Sequence, residues 1–143
     1  MNIKIVTVGS KPESHLAYLI DDYKTRLPRS INVSWHFIKH GKGGADISKH
    51  QEAESILRYT AKDHLVILLD ESGDQYSSEK LSRLMFDQPK DIVFIIGGAY
   101  GVTDNIKKRA DITLSLSKLV FPHQIVRLVL TEQIYRAYTI FIN

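Results

Sequence analysis

Hydrophobic positions along the chain follow two different spacings. In residues 31–38, Ile31, Val33, Trp35 and Phe37 alternate with mostly polar residues, which is typical of a half-buried strand. Other segments repeat apolar residues every three or four positions, which predicts helices with one buried face. In chain order, the pattern predicts strands at about 3–8, 31–38, 64–69, 91–96 and 112–116, and helices at about 13–27, 46–59, 78–86, 103–109 and 123–142.

The predicted strands and helices alternate along the whole chain. This alternation is typical of an α/β fold with a mainly parallel sheet, because parallel strands are joined by crossover helices. Continuous apolar strands such as 64–69 and 91–96 also require helices on both faces of the sheet. The chain has 143 residues and shows no linker, internal repeat or low-complexity tract. We therefore predict a single α/β domain over residues 1–143.

Composition restricts the chemistry further. Hydrophobic residues make up 43% and charged residues 24%, as in ordinary globular domains, which disfavours disorder, collagen and coiled coils. The chain has no cysteine, which excludes disulfides, Cys-ligated zinc, iron–sulfur clusters and a thiol nucleophile. His36, His40 and His50 fall on a predicted strand, loop and helix without compact ligand spacing, so no metal site is expected.

Neither a signal peptide nor a membrane span is expected. The N-terminus is too short and too polar for a signal sequence, and apolar runs such as residues 65–69 are far shorter than a membrane span. We therefore expect a cytoplasmic protein without a membrane partner.

Charge is unevenly distributed along the chain. Residues 1–50 carry a net +4, residues 51–106 a net −5, and residues 107–143 a net +4, which sum to +3. If the basic ends meet in space they would form a surface for phosphates, because neutralising the backbone supplies much of nucleic-acid affinity. Ordinary solvated faces explain the same charges equally well at this point.

Three predicted loops follow strands and are candidates for chemistry, because ligands of open α/β sheets bind beyond the carboxyl ends of strands. They are residues 69–73, 95–101 and 114–124. Alternatives remain open: Asp70 as a turn cap, and Gly97–Gly98 as a tight turn without a ligand. The spacing G-G-A-Y-G lacks the G-x-G-x-x-G pattern, which disfavours a flavodoxin-like nucleotide binder.

The C-terminal region carries an unusual amount of apolar surface. Residues 119–121 form an apolar loop that must be covered, either by the chain folding back or by another chain. In residues 124–141 the only charges are Arg127, Glu132 and Arg136. A helix with so few charges is expected to be buried on more than one side, in a core or an oligomer interface.

Five stretches of the chain resemble one enzyme family and together cover nearly its full length. They read I-K-I-V-T-V-G at 3–9, Y-K-T-R-L at 23–27, L-D-E-S-G at 69–73, F-I-I-G-G-A-Y-G at 94–101 and L-S-L-S-K-L-V-F-P-H-Q-I-V-R-L-V-L-T-E-Q-I-Y-R-A at 114–137. On these residues the chain resembles the RlmH-type (YbeA-type) SPOUT methyltransferases. This family methylates N3 of a pseudouridine in large-subunit (23S) ribosomal RNA, which implies the ribosome as partner.

The resemblance implies a fold and a cofactor that the periodicity does not reveal. It implies a deep trefoil knot in the C-terminal part, a homodimer, and S-adenosylmethionine bound in the knot near the dimer interface. Threading through the knot would cover the apolar loop at 119–121. The residues implied to bind the cofactor are Leu69, Gly97, Leu116, Ser117, Lys118, Leu119, Val120 and Phe121.

The implied reaction requires a group that takes a proton, because a uracil-type N3 carries one that must leave before or during methyl transfer. Candidate bases are His123 and Glu132, with Arg127 or Arg136 stabilising the anionic base or binding a phosphate. The alternatives are structural: His123 as a helix cap, and Glu132 as the ion-pair partner of Arg136 four residues later.

Two further expectations concern RNA. Lys107, Lys108 and Arg109 form a basic cluster that is expected to contact the RNA. Members of the resembled family continue past the position of Asn143 with a short tail similar to N-H-P-Y-H-K, which is implied to approach the target base. Because the sequence lacks this tail, a non-catalytic RNA-binding or ribosome-binding module is the alternative function.

Overall fold

The computed structural model describes residues 1–143 as alternating strands and helices. The predicted α/β alternation is confirmed, and the predicted bounds agree within two residues except at the end of the third strand. The elements are β1 (Asn2–Val8), α1 (Ser14–Thr25), β2 (Asn32–Ile38), α2 (Ala45–Leu57), β3 (Leu65–Gln75), α3 (Ser78–Phe86), β4 (Ile92–Ile96), α4 (Asp104–Arg109), β5 (Ile112–Ser115) and α5 (His123–Ile142).

The five strands form one sheet in the order β2-β1-β4-β3-β5, and every pairing is parallel. The central strand is β4, in which Ile92 pairs with Ile3 of β1 on one side and with Leu65 of β3 on the other. All residues of β4 are buried. Because the strands are parallel, their carboxyl ends meet at one edge of the sheet, called here the carboxyl edge; the opposite side is the amino edge.

Helices cover both faces of the sheet, as predicted. One apolar core joins one sheet face to α3 and α5, through residues such as Met85 and Ile134. The other core joins the opposite face to α2 and α4, through Ile56 and Ile106. Helix α5 packs between α1 and α3, so intrachain contacts account for much of its apolar surface.

The third strand differs from its prediction, which ended it at residue 69. Strand β3 continues to Gln75 and pairs with β5 in two registers: Leu69 lies opposite Leu114, and Asp74 then lies opposite the same Leu114. Residues 70–73 therefore form an irregular segment within the strand. The apolar run that predicted the strand ends at Leu69, whereas backbone pairing with β5 extends it through polar residues.

We predict that Gly73→Ser destabilises the protein while Gly44→Ser does not. A Cβ at Gly73 would lie 2.5 Å from the carbonyl oxygen of Thr113 on β5, so β3 and β5 would have to separate. We expect a loss of about 1 to 3 kcal/mol in unfolding free energy. Gly44 precedes α2 with φ −66° and has no neighbour within 4 Å of a new Cβ, so serine there can cap the helix. Urea unfolding followed by circular dichroism measures both, and equal stability of the two variants would contradict the prediction.

Candidate active site

A cleft opens at the carboxyl edge, between the ends of β3, β4 and β5 and the start of α5. Its cavity volume is about 240 Å³, and ten of its 17 lining residues are hydrophobic, which suits an organic ligand. The lining residues are Leu69, Asp70, Glu71, Ile96, Gly97, Gly98, Ala99, Gly101, Val102, Leu114, Leu116, Ser117, Leu119, Val120, Phe121, His123 and Val126.

The three loops predicted to carry chemistry converge on this cleft. Seven of the eight residues predicted to bind a cofactor line it, and Lys118 does not: the seven are Leu69, Gly97, Leu116, Ser117, Leu119, Val120 and Phe121. They converge because β3, β4 and β5 are neighbours in a parallel sheet, so that their following segments emerge side by side.

The loop after β5 is folded around the serine at its centre. The Ser117 hydroxyl accepts a hydrogen bond from the Leu119 amide at 2.9 Å, and the buried Ser115 hydroxyl donates to the Ser117 carbonyl at 2.8 Å. Leu119 and Val120 remain 71% and 77% exposed. Of the two expected covers for this loop, folding back of the chain is therefore wrong for these two residues, and packing against another chain stays a prediction.

The turn after β4 depends on three glycines. Gly101 has φ +80°, and its amide donates to the Gly98 carbonyl at 3.0 Å. A Cβ at Gly97 would lie 2.7 Å from Cγ1 of Val102, and one at Gly98 would lie 2.9 Å from Oε1 of Glu52. The glycines thus build a tight turn, and this turn lines the cleft.

His123 is the only predicted catalytic residue that lines the cleft. Its Nε2 lies 2.7 Å from the Gly97 carbonyl oxygen, and since a carbonyl only accepts, Nε2 carries the hydrogen. Burial lowers the pKa of His123 below its ordinary 6.5, and the charges of Arg127 and His40 act in the same direction, while the bond to Gly97 opposes them. The imidazole is therefore neutral at pH 7, with a lone pair on Nδ1.

Arg127 is fully buried, although it carries a charge. Its guanidinium donates to the carbonyl oxygens of Ser10 at 2.6 Å and Val8 at 3.4 Å, and it lies 5.3 Å from the centre of the Phe37 ring. None of the ion pairs in the structure includes it, and its Nε has no hydrogen-bond partner. Burial lowers the pKa of Arg127. The side chain thus anchors the loop after β1. The prediction that Arg127 binds a phosphate of the substrate would require it to line the cleft, and it does not.

Glu132 and Arg136 lie farther along α5, and neither lines the cleft. The Arg136 Nε donates to Glu132 Oε1 at 2.8 Å, and the Arg136 side chain is 55% exposed. This arrangement matches the structural alternative, an ion pair four residues apart on one helix. Within one chain, the geometry gives neither residue a contact with the site.

One residue that supports the wall of the site, Glu52, has no clear signal in the sequence. Glu52 on α2 is buried at 6% exposure, and its Oε2 accepts a hydrogen bond from the Gly41 amide at 2.9 Å. A lone glutamate in a helix is ordinarily a solvated residue, so only the fold reveals its place. Asp70 accepts from both the amide and the hydroxyl of Ser72, which confirms it as a turn cap, and it also lines the cleft beside Glu71.

The basic cluster at residues 107–109 lies away from the cleft. It ends α4, which leads to the start of β5 at the amino edge. Arg109 donates to the carbonyl oxygens of Ala61 and His64 in the segment before β3, and it pairs with Asp111. Its guanidinium is therefore committed to intramolecular contacts.

No three His, Asp or Glu side chains lie where they could hold a metal ion together. None of the helices combines the length and the apolar character that crossing a membrane requires.

A family model described as "Predicted SPOUT methyltransferase" matches residues 1–143. The chain is 40% identical over 151 residues to "Ribosomal RNA large subunit methyltransferase H" of Christiangramia forsetii, with 100% of this chain and 96% of the relative covered. A protein of the same name from Geobacter metallireducens is 40% identical over 145 residues, covering 98% and 94%. "Putative ribosomal RNA large subunit methyltransferase H" of Methanococcus maripaludis is 38% identical, covering 98% and 95%.

We predict that Arg127→Lys destabilises the protein far more than Arg136→Lys does. Two nitrogens of the Arg127 guanidinium donate to two different carbonyl groups, those of Val8 and Ser10. A lysine side chain ends in a single nitrogen, so one of these two carbonyl groups loses its hydrogen-bond donor. We expect a loss of about 1 to 3 kcal/mol in unfolding free energy. The same change at exposed Arg136 should cost less than about 0.5 kcal/mol. Urea unfolding compares the two variants, and similar losses at both positions would refute the anchoring role.

Proposed function

Because the chain belongs to the SPOUT methyltransferase family, we propose that it methylates N3 of a pseudouridine in large-subunit ribosomal RNA. The proposed methyl donor is S-adenosylmethionine, and the proposed context is the assembled ribosome in the cytoplasm. The observation that carries the proposal is the cleft at the carboxyl edge. Its walls come from three of the five stretches on which the family resemblance rests, residues 69–73, 94–101 and 114–137.

The chemistry of the cleft fits the proposed methyl donor. Leu69, Leu116 and Phe121 supply apolar surface for an adenine ring, and the backbone groups of the loop after β5 can recognise its polar edge. Asp70 and Glu71 add negative charge to the lining, which suits a cationic ligand. When bound, S-adenosylmethionine supplies an electrophilic methyl group on a positively charged sulfur.

His123 is the residue of this chain best suited to take the N3 proton. It is neutral at pH 7, its Nε2–H is held by the Gly97 carbonyl, and its Nδ1 retains a lone pair. A base with these properties accepts a proton without first having to lose one. The bond to Gly97 also fixes the ring against the turn that lines the cleft, so the base and the cofactor wall keep a constant relation.

Arg127 has a positioning role in this proposal. It lies one helical turn after His123 and holds the backbone of residues 8–10 through two carbonyl groups. Its positive charge helps to keep His123 unprotonated. It thereby supports both the shape of the carboxyl edge and the protonation state of the base.

We further propose that the protein acts as a homodimer. Tyr18 and Leu19 on α1 are 74% and 42% exposed, and Leu119 and Val120 beside the cleft are also exposed. Large apolar side chains in such numbers are typical of surfaces that pair with another chain. Covering Leu119 and Val120 by a partner would also exclude water from the cleft. The trefoil knot and Lys118 as a cofactor ligand remain predictions of the family resemblance.

The first test of the proposal combines methyl transfer with a double-mutant cycle. Labelled S-adenosylmethionine should transfer its methyl group to large-subunit ribosomal RNA, and mass spectrometry should locate the label on N3 of a pseudouridine. Cofactor binding without transfer would instead support the non-catalytic RNA-binding module.

Gly97→Ala should weaken cofactor binding on the order of tenfold, because its Cβ would lie 2.7 Å from Val102.

The cycle is completed by adding Val102→Ala to Gly97→Ala, which removes the atom that the new Cβ would strike. We expect calorimetry to show tighter cofactor binding by the double variant than by Gly97→Ala alone. If Val102→Ala weakens binding equally in both backgrounds, the turn does not act through this contact.

The second test concerns the base. His123→Gln should reduce the methyl-transfer rate by about 10² to 10⁴ fold. In the wild type the rate should fall as pH drops below 6.5 toward the lowered pKa of His123, because protonation removes the Nδ1 lone pair. Above pH 6.5 this group should have no further effect. His123→Gln should abolish that acid limb, whereas the control His64→Gln at the amino edge should keep it. A slow variant that retains the limb would assign His123 to positioning alone.

A further inference from the structure

A glycine-rich basic loop, residues 39–44, follows β2 at the carboxyl edge. Its sequence, K-H-G-K-G-G, contains no acidic residue. Lys39 and Lys42 are exposed, and neither ammonium group takes part in a hydrogen bond or an ion pair. Lys11, on the neighbouring loop after β1, is exposed and unpaired in the same way, since nearby Glu13 contacts His15. Three free positive charges thus project from two adjacent loops.

The basic loop is held in shape by helix α2. The amides of Gly41 and Lys42 donate to the side chains of Glu52 and Gln51, each at 2.9 Å. A Cβ at Gly41 would lie 2.5 Å from the backbone of Ser48, and Gly43 has φ +102°. Only glycine suits both positions, so the loop lies close to α2 and its lysines extend from a fixed backbone.

One contact joins this loop to the wall of the cleft, and a second joins it to the loop after β1. The Glu52 carboxylate that accepts from Gly41 also packs against Gly98, which lines the cleft. On the other side of the loop, His40 lies 3.5 Å from the Cβ position of Gly9, and the Arg127 guanidinium lies 3.0 Å from the same position. The basic loop thus lies at the same edge of the sheet as the cleft and is joined to its wall through Glu52.

The amino edge offers a second set of free lysines, which includes Lys62, Lys107 and Lys108. These residues lie across the length of the sheet from the cleft. A polyanion held there would have its backbone at the wrong end of the molecule for a reaction at the carboxyl edge. The two edges thus carry similar charge but differ in access to the site.

We propose that the basic loop 39–44 and Lys11 bind the phosphate backbone of the RNA substrate and thereby bring the target nucleotide to the cleft. This inference rests on the proposed function, because it takes RNA as the substrate. Phosphate contacts of this kind position a nucleic acid without reading its sequence. They also release counterions, so each lysine that contacts a phosphate contributes to the salt dependence of binding.

The test compares two triple variants with the same change in charge. Lys11→Gln, Lys39→Gln and Lys42→Gln together alter the proposed surface; Lys62→Gln, Lys107→Gln and Lys108→Gln together alter the amino edge. Binding of a fluorescein-labelled single-stranded RNA is followed by anisotropy between about 50 and 200 mM KCl. Calorimetry with S-adenosylmethionine serves as a check on the cleft in both variants.

The first triple variant should bind RNA on the order of tenfold more weakly. The slope of the logarithm of its RNA-binding constant against the logarithm of the KCl concentration should be smaller in magnitude by about 2, which corresponds to about 0.7 for each of the three lost phosphate contacts. The amino-edge variant should match the wild type, and both should bind the cofactor normally. Equal RNA binding by the two variants, or a loss confined to the amino-edge variant, would overturn the inference.

The outcome is separable from that of the proposed function. A wild-type chain that methylates ribosomal RNA while the two triple variants bind RNA equally would retain the function and reject this surface. A wild-type chain that transfers no methyl group, but whose two variants differ as expected, would retain the surface and reject the enzymatic proposal.

Discussion

The end of the central strand is the point on which the rest of the carboxyl edge depends. Strand β4 lies between β1 and β3 and ends at Gly97–Gly98, where helices from both faces of the sheet converge. His123 of α5 bonds the Gly97 carbonyl, while Glu52 of α2 packs against Gly98. Because neither glycine has a side chain, the two helices can approach the same turn. The cleft, its candidate base and the neighbouring basic loop are thereby held in one rigid arrangement.

Buried charge is used at this edge without direct ion pairing. Arg127 is surrounded by backbone carbonyl groups and an aromatic ring, and Glu52 accepts a backbone amide of Gly41. Burying a charged side chain costs free energy unless its hydrogen bonds are made. The loops after β1 and β2, whose backbone groups bond Arg127 and Glu52, are therefore held in place. Residues on a fixed frame can hold a substrate in a reactive geometry, which lowers the entropic cost of reaching the transition state.

The sequence predicted the elements and much of the candidate site because both depend on local patterns. Period-two and helical spacings identified all ten elements, and their alternation predicted a parallel sheet whose carboxyl-end loops carry chemistry. The seven predicted cofactor residues that line the cleft came from the family resemblance and not from these patterns. The bounds failed at β3, where pairing with β5 continues through polar residues that have no strand pattern.

Tertiary structure alone decided the strand order, the partners of buried charges and the direction of the basic surfaces. Arg127 bonds carbonyl groups 117 and 119 positions earlier in the chain, and nothing in its local sequence distinguishes it from exposed Arg136. Net charge by segment likewise could not separate Lys42 at the carboxyl edge from Lys107 at the amino edge. The physical reason is that periodicity reports which side of an element is buried, whereas contacts between distant segments depend on how the elements pack.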